Sequence, residues 1–261
     1  MTNQHQTHQF PLVDKRHALQ MGVDLSALKP GRLVVRESSQ CLRPQQGYGY
    51  VRALWWLCLE DGRTAISVPP GAGQAVSEIA SDVQSRQDLF DPELAERLKA
   101  PVNVALRECG LGDVDRTWAD LCLACNARLL RRHKCGDCRR LTDDTIPPAE
   151  GIRLPTHCFP DGIAYGVVAD GMVVSVAFSH RTGIMEDLVA DPGIETAEHY
   201  RRRGYAKTAV SAVVEHVTRA GGEARYGCSP DNRASIATAR SVGFVPYATS
   251  MVLSARGRTG M

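Results

Sequence analysis

The apolar positions of this chain change their spacing several times, and each change marks an element. Residues 1–30 read as a polar, loosely ordered lead followed by a short helix that stops at Lys29-Pro30-Gly31. β-rich runs follow at 32–37, 50–59 and 64–68. The turn residues Glu60-Asp61-Gly62-Arg63 fold the last two into a hairpin, which Pro69-Pro70-Gly71 closes. From 74 to about 130 the spacing is helical, with a start signal at Asp91-Pro92-Glu93 and a stop at Cys109-Gly110. Polar residues and Pro147-Pro148 make 139–155 a crossing, so the pattern predicts an α+β domain over 1–140 and a second domain over 141–261.

The second half opens as a β-meander: 163–169, a turn at Asp170-Gly171, 172–180, and a run over 186–196 that contains Pro192-Gly193. Proline deletes a ladder donor and glycine tolerates a bulge, so this last strand is expected to kink; an ordinary edge-strand bulge would read the same way. Ala206, Val210, Val213 and Val217 then recur on one helical face until Gly221-Gly222. A strand takes 224–228, Ser229-Pro230-Asp231-Asn232 turns the chain, and a helix over 234–242 stops at Gly243. The predicted class is α/β (α+β): a mixed sheet flanked by helices in the C-terminal half, with the N-terminal domain appended. Residues 256–261 read as a frayed end.

Composition narrows the partners more than the fold. At 261 residues and 43% hydrophobic content the chain suits two modest domains. A net charge of +2, with dense basic runs only at Arg201-Arg202-Arg203 and over 128–140, argues against a nucleic-acid partner. The longest apolar run, 53–59, is too short to span a bilayer, and the polar N-terminus lacks the apolar core of an export signal; a cytoplasmic protein with no membrane association is expected. Nine cysteines without an export signal read as thiols rather than a disulfide framework. A homodimer is the assembly expected from the prevalence of twofold symmetry.

The chemistry concentrates where the meander gives way to the helix. Arg201-Arg202-Arg203-Gly204-Tyr205-Ala206 sets three cations and a glycine at a helix mouth, where backbone N–H groups lack intrahelical partners and the dipole is positive. A pyrophosphate fits there. Further on, Asn232 and Ser235 open a helix that Gly243-Phe244 ends. Together these residues resemble the GNAT superfamily of N-acetyltransferases. Arg201, Gly204 and Ala206 fill its signature of Gln or Arg, two free positions, Gly, one free position, and Gly or Ala. Asn232, Ser235, Gly243 and Phe244 fill its second block. The resemblance covers roughly 150–255 and implies a GNAT-type mixed sheet whose fourth and fifth strands splay apart. It also implies acetyl-CoA as co-substrate and transfer to a primary amine.

The resemblance carries roles to particular residues. The backbone of Arg201, Arg202, Arg203, Gly204, Tyr205 and Ala206 would hold the pyrophosphate, with arginine side chains reaching the 3′-phosphate. Asn232 and Ser235 would meet the pantetheine arm or a phosphate oxygen, although Asn232 equally suits a helix N-cap. An alkyl ammonium, with a pKa of about 10.4, must lose a proton before it attacks. Asp191 and Glu195, four apart, share a face of a regular strand. Glu195 is the expected general base, with Asp191 beside it and Glu186 and Asp187 contributing to amine binding; solvated strand-end acids are the plain alternative. Amides from Ile194 to Thr196, freed by the splay, would hold the thioester oxygen.

Many members of the superfamily carry a tyrosine four residues before the second-block glycine, where its phenol can protonate the departing thiolate. Ala239 stands there in this chain, which leaves solvent, Tyr226, Ser229 or Ser235 as candidates for the acid. Cys228 would suit a ping-pong nucleophile, but a buried thiol is ordinarily an inert small hydrophobe. Direct transfer in a ternary complex is therefore expected.

Cys122, Cys125, Cys135 and Cys138, with His133 between them, have ligand types suited to a structural zinc. Their spacing is shorter than the usual ribbon, and the first pair lies in a helical-looking segment where two cysteines can simply pack. Both readings stay open and no metal site is assigned. Trp55 and Trp56 would suit a cationic small-molecule acceptor such as an aminosugar, though aromatic pairs are more often core. The stretch 201–247 with an appended N-terminal region also resembles the antibiotic-resistance members of the superfamily that modify aminoglycosides, of the kasugamycin 2′-N-acetyltransferase type. A small-molecule N-acetyltransferase is the expected function. A protein or peptide N-acetyltransferase would need an open groove, and a non-catalytic acyl-CoA-binding module has Ala239 as its only support.

Overall fold

A computed structural model describes residues 9–45, 49–143, 145–158, 162–179 and 184–257. The order is α1 (Pro11–Met21), β1 (Leu33–Glu37), β2 (Tyr50–Leu59), β3 (Thr64–Val68), α2 (Gly73–Ala80), α3 (Pro92–Glu108) and β4 (Val114–Cys125). Then come β5 (Asp137–Arg140), β6 (Ile163–Ala169), β7 (Met172–Ser179), β8 (Val189–Ala190), β9 (Pro192–Thr196), α4 (Tyr205–Arg219), β10 (Glu223–Cys228), α5 (Arg233–Val242) and β11 (Val245–Arg256). This is a mixed α/β chain that divides into two compact units, Met1–Cys122 with Tyr247–Met261, and Leu123–Pro246. The boundary expected at residue 140 falls at the end of β5, inside the second unit.

In the first unit β2 and β3 form the expected antiparallel hairpin, with Trp56 opposite Ile66. β1 runs parallel to β3, and β11 runs antiparallel to β2. Asp91 caps α3 by accepting the Glu93 N–H at 2.9 Å, and Pro92 occupies the first turn, where its missing N–H costs nothing. Leu98, Val102 and Leu106 of α3 bury their stripe against Leu54, Trp56 and Ile66. Trp55 and Trp56 are both buried, so the pair is core and not an acceptor platform. A polar network fastens α1. The Tyr247 hydroxyl donates to Asp14 Oδ1 at 2.6 Å, Arg63 meets Asp14 Oδ2 at 3.2 Å, and His17 Nδ1 lies 3.2 Å from the same hydroxyl.

Several expectations need correction. The helical reading of 74–130 holds for α2 and α3, but 114–125 is strand β4, and Cys122 and Cys125 stand on it. The last four residues of β4 are all buried, and a strand covered on both faces reads as an unbroken apolar run that periodicity does not distinguish from a helix. The N-terminal helix lies at Pro11–Met21, and only a short turn at Leu25–Ala27 precedes Lys29. Arg256 is no frayed end: it closes β11 opposite Tyr50. Residues 1–8 of the lead, His180 of the 172–180 strand and 258–261 of the tail lie outside the described residues.

The run 186–196 is two short strands, not one. Met185 takes φ 51, and its carbonyl accepts the N–H groups of Leu188 and Val189 at 3.0 and 2.8 Å, so Glu186 and Asp187 sit in a turn. β8 then pairs parallel with β10, placing Val189 opposite Glu223 and Ala190 opposite Ala224. After Asp191 the chain changes partner: β9 pairs antiparallel with β7, with Ile194 opposite Ala177 and Glu195 opposite Val176. β9 and β10 are not neighbours in any sheet formed by the described residues, so the chain opens between them. β5, β6, β7 and β9 make a four-stranded sheet, against which α4 buries Val210, Val213 and Val217.

Candidate active site

The opening between β9 and β10 leads to the mouths of α4 and α5. A cavity of about 820 Å³ runs through it, lined by Ile194, Glu195 and Thr196 of β9, by Arg201, Arg202, Gly204, Tyr205, Ala206 and Lys207 at the α4 mouth, by Tyr226 of β10, and by Asn232, Ala234, Ser235 and Thr238 of α5. Gly151 and Tyr200 complete the wall. Glu195 is the one carboxylate among the described lining residues.

The α4 mouth is built by local backbone geometry. Gly204, the N-cap, takes φ 89, and Arg202 takes φ 62, a conformation that residues with a Cβ rarely adopt. The first helical bond runs from the Thr208 N–H to the Gly204 carbonyl at 3.1 Å, so the amides of Tyr205, Ala206 and Lys207 precede any intrahelical partner. With Arg201, Arg202 and Lys207 around them, these donors suit a diphosphate. Arg201 is held back toward β9, its Nε donating to the Thr196 carbonyl at 3.3 Å. Arg203 turns elsewhere: its guanidinium lies 5.2 Å from the Tyr200 ring centre, and it lines a neighbouring hollow with Glu198 and His199. Its carbonyl accepts the Cys135 thiol at 3.1 Å.

At the α5 mouth the Asn232 side chain accepts the Ser235 N–H at 3.0 Å, so it is an N-cap that also faces the cavity. Gly243 ends α5 at φ 106, where an added Cβ would run into the Leu129 carbonyl. The second-block glycine is therefore required by backbone and by space.

On β9 the Ala197 N–H donates to the Val174 carbonyl at 3.0 Å. In an antiparallel ladder the donors alternate, so the amide of Glu195 also faces β7 while those of Ile194 and Thr196 face the opening. Of the expected oxygen-binding amides, two are thus aimed into the slot. Glu195 is a half-buried residue whose carboxylate accepts the Arg153 N–H at 2.9 Å, which fixes its direction.

The structure does not bring the other acids to this cavity. Asp191 sits at the strand break, its N–H on Ser179 Oγ at 3.0 Å and its carboxylate 3.5 Å from the buried Arg225 guanidinium. Glu186 and Asp187 lie in the turn before β8. Cys228 is buried and is not among the lining residues. Tyr226 is only 2% exposed; its hydroxyl lies 2.9 Å from Ser235 Oγ, and burial pushes its pKa upward. Lys207 and Thr238 were missed by sequence reasoning, although Thr238, three residues after Ser235, shares its helix face. Nothing in the sequence marks Gly151.

The cysteine cluster does not assemble. The Cys122 thiol meets Ser250 Oγ at 3.5 Å, and His133 Nε2 lies 2.9 Å from the Ser241 carbonyl. Burial pushes the Cys125 thiol up to about 12 and Cys138 up to about 11. Among the described residues no group of three or more His, Cys, Asp or Glu side chains is placed to hold a metal ion. Nor is any helix among them long and apolar enough to cross a membrane.

Residues 118–245, which contain the slot and both helix mouths, match the family model described as an acetyltransferase (GNAT) domain. The chain carries a GNAT acetyltransferase domain. Solved structures similar to it include a GNAT-family protein from Novosphingobium aromaticivorans, at 20% identity over 56% of this chain and 67% of that one, with a TM-score of 0.44. A GNAT-family acetyltransferase from Colwellia psychrerythraea matches at 13% identity over 54% and 58%, TM-score 0.42. A Salmonella typhimurium protein solved with its cofactor acetyl-CoA matches at 14% identity over 38% and 66%, TM-score 0.30. This chain thus spans about two thirds or less of each of these relatives. No curated protein matches the sequence. The match concerns the acetyltransferase (GNAT) domain over residues 118–245.

Proposed function

We propose that the GNAT domain transfers the acetyl group of acetyl-CoA to a primary amine of a small molecule, by direct attack in a ternary complex. The observation that carries this reading is a single cavity holding the phosphate-type donors of the α4 mouth, the inward amides of Ile194 and Thr196, and one carboxylate. Acetyl-CoA, when bound, supplies the acyl group as a thioester. The amides of Tyr205, Ala206 and Lys207, with Arg201 and Arg202, hold the diphosphate. Asn232 and Ser235 border the path of the pantetheine arm.

Glu195 is the general base. At neutral pH roughly one alkyl amine in a few thousand is uncharged, given a pKa of about 10.4, so a positioned carboxylate that takes the proton contributes directly to rate. The Arg153 N–H holds Glu195 in one orientation. The Ile194 and Thr196 amides stabilise negative charge as it grows on the thioester oxygen. Asp191, engaged with Arg225, takes a structural part.

Because Trp55 and Trp56 lie in the core, acceptor binding falls to the cavity around Glu195, and a polyamine-like antibiotic of the aminoglycoside class is the acceptor we propose. The test is thiol release from acetyl-CoA with kasugamycin, other aminoglycosides, polyamines and a lysine peptide as acceptors. Turnover with an aminoglycoside is expected. Turnover with the peptide alone would replace the small-molecule reading, and no thiol release with any amine would sink the catalytic one.

A further inference from the structure

We infer that Tyr226 is the general acid of this site, delivering its phenolic proton to the departing sulfur, and that Ser235 returns a proton to it from solvent. The inference rests on the acetyltransferase reading above and names a residue that reading leaves unassigned. A thiol with a pKa of about 8.5 leaves more readily if a proton reaches it as the bond breaks. Ala239 has no proton to give.

The geometry selects Tyr226 among the hydroxyl groups on the cavity wall. Tyr200 donates its own hydroxyl to Asp170 at 2.8 Å, and Tyr205 stands at the α4 mouth among the diphosphate donors. Tyr226 stands where the slot begins. β10 pairs with β8 at Glu223 and Ala224 only, so Tyr226, two residues beyond Ala224, is the next residue on that face after the pairing ends. Its ring packs on Phe244 with centres 5.4 Å apart, in the apolar cluster that also contains Ala239. Ser235 and Ala239 lie four apart on the same stripe of α5, and the Tyr226 hydroxyl meets the first of them at 2.9 Å. The phenol is thus buried and fixed, while half-buried Ser235 links it to the cavity mouth.

The proton balance closes without another reagent. As the C–N bond forms and the C–S bond breaks, the electron pair of the latter goes to sulfur and Tyr226 supplies the proton. Glu195 takes the first proton from the ammonium and passes it to water before the attack, then takes the second from the nitrogen once the C–N bond has formed and releases that to water as well. Ser235 passes a proton to the tyrosinate and takes one from solvent. Burial raises the Tyr226 pKa and Cys228 adds to that, while the Ser235 hydrogen bond opposes it, so the phenol stays protonated at neutral pH. The other charged groups on the wall are Glu195 and, at the α4 mouth, Arg201, Arg202 and Lys207.

The experiment compares wild type, Y226F and S235A in two measurements. The first follows ionisation of the thiol of bound coenzyme A by ultraviolet absorbance of the thiolate, and needs no acceptor. Loss of a hydrogen bond to the thiolate should lower its ionisation constant about tenfold in Y226F, with coenzyme A affinity retained. The second is turnover with whichever amine supports thiol release, where kcat of Y226F should fall about 100-fold and S235A less. Y226F matching wild type in both measurements overturns this inference alone, as does a loss accounted for by weaker coenzyme A binding. If Y226F does not fold, an S235A enzyme indistinguishable from wild type overturns it. Failure of the wild type to bind coenzyme A removes the acetyltransferase reading, and this one with it.

Discussion

Replacing Gly204 by alanine tests the diphosphate grip at the backbone position on which it depends. Gly204 caps α4 at φ 89 and ψ −7, a conformation that costs a residue with a Cβ about 1–2 kcal/mol. Crowding adds little, because the new methyl would meet Cys135 at 3.6 Å, an ordinary contact. The free variant therefore relaxes to escape backbone strain, and binding must restore the strained form so that the amides after residue 204 converge again. The energy required is the same 1–2 kcal/mol, which weakens binding by about 5–30-fold. Isothermal calorimetry with coenzyme A measures this, and pantetheine, which lacks the diphosphate, is the control. Coenzyme A should lose affinity by that factor while pantetheine loses none. Unchanged coenzyme A affinity, or equal weakening of both ligands, would refute the reasoning.

Three further outcomes are expected. Glu195→Gln keeps an acceptor for the Arg153 N–H but cannot take a proton, so kcat should fall about 100-fold near neutrality; the deficit should shrink as pH rises toward the amine pKa of about 10.4, and a pH-independent deficit would count against the base assignment. Gly243→Ala combines a left-handed backbone with overlap on the Leu129 carbonyl, and should cost about 3 kcal/mol in denaturant unfolding; a loss under 1 kcal/mol would contradict the geometry. The buried Tyr247 hydroxyl, bonded to Asp14, has its pKa raised well above 10.0, chiefly by burial. The folded state then keeps a proton that the unfolded chain loses, so stability should decline as pH rises beyond about 10, and Tyr247→Phe should flatten that decline in urea melts repeated across pH.

The sequence was informative wherever structure depends on neighbours in the chain. The hairpin of β2 and β3, the Asp91-Pro92 start of α3 and the α4 mouth all follow from consecutive residues, because caps, turns and left-handed positions are set by local dihedral preferences. Arg201, Gly204 and Ala206 could therefore be placed at a helix mouth before any contact was known. Asn232 could be read as a cap for the same reason.

Only the tertiary structure decided which strands meet. Asp191 and Glu195 share a face by the two-residue period, yet the chain exchanges β10 for β7 between them, leaving Asp191 on Arg225 and Glu195 on the cavity. β4 reads as helix because its buried end has no alternation, and its neighbours in space, not its own residues, make it a strand. Tyr226 and Ser235 meet because a strand end and a helix start face one cavity. Side-chain pattern determines what an element can be; the free energy of long-range pairing and burial determines what it touches, and a catalytic site is made of what touches.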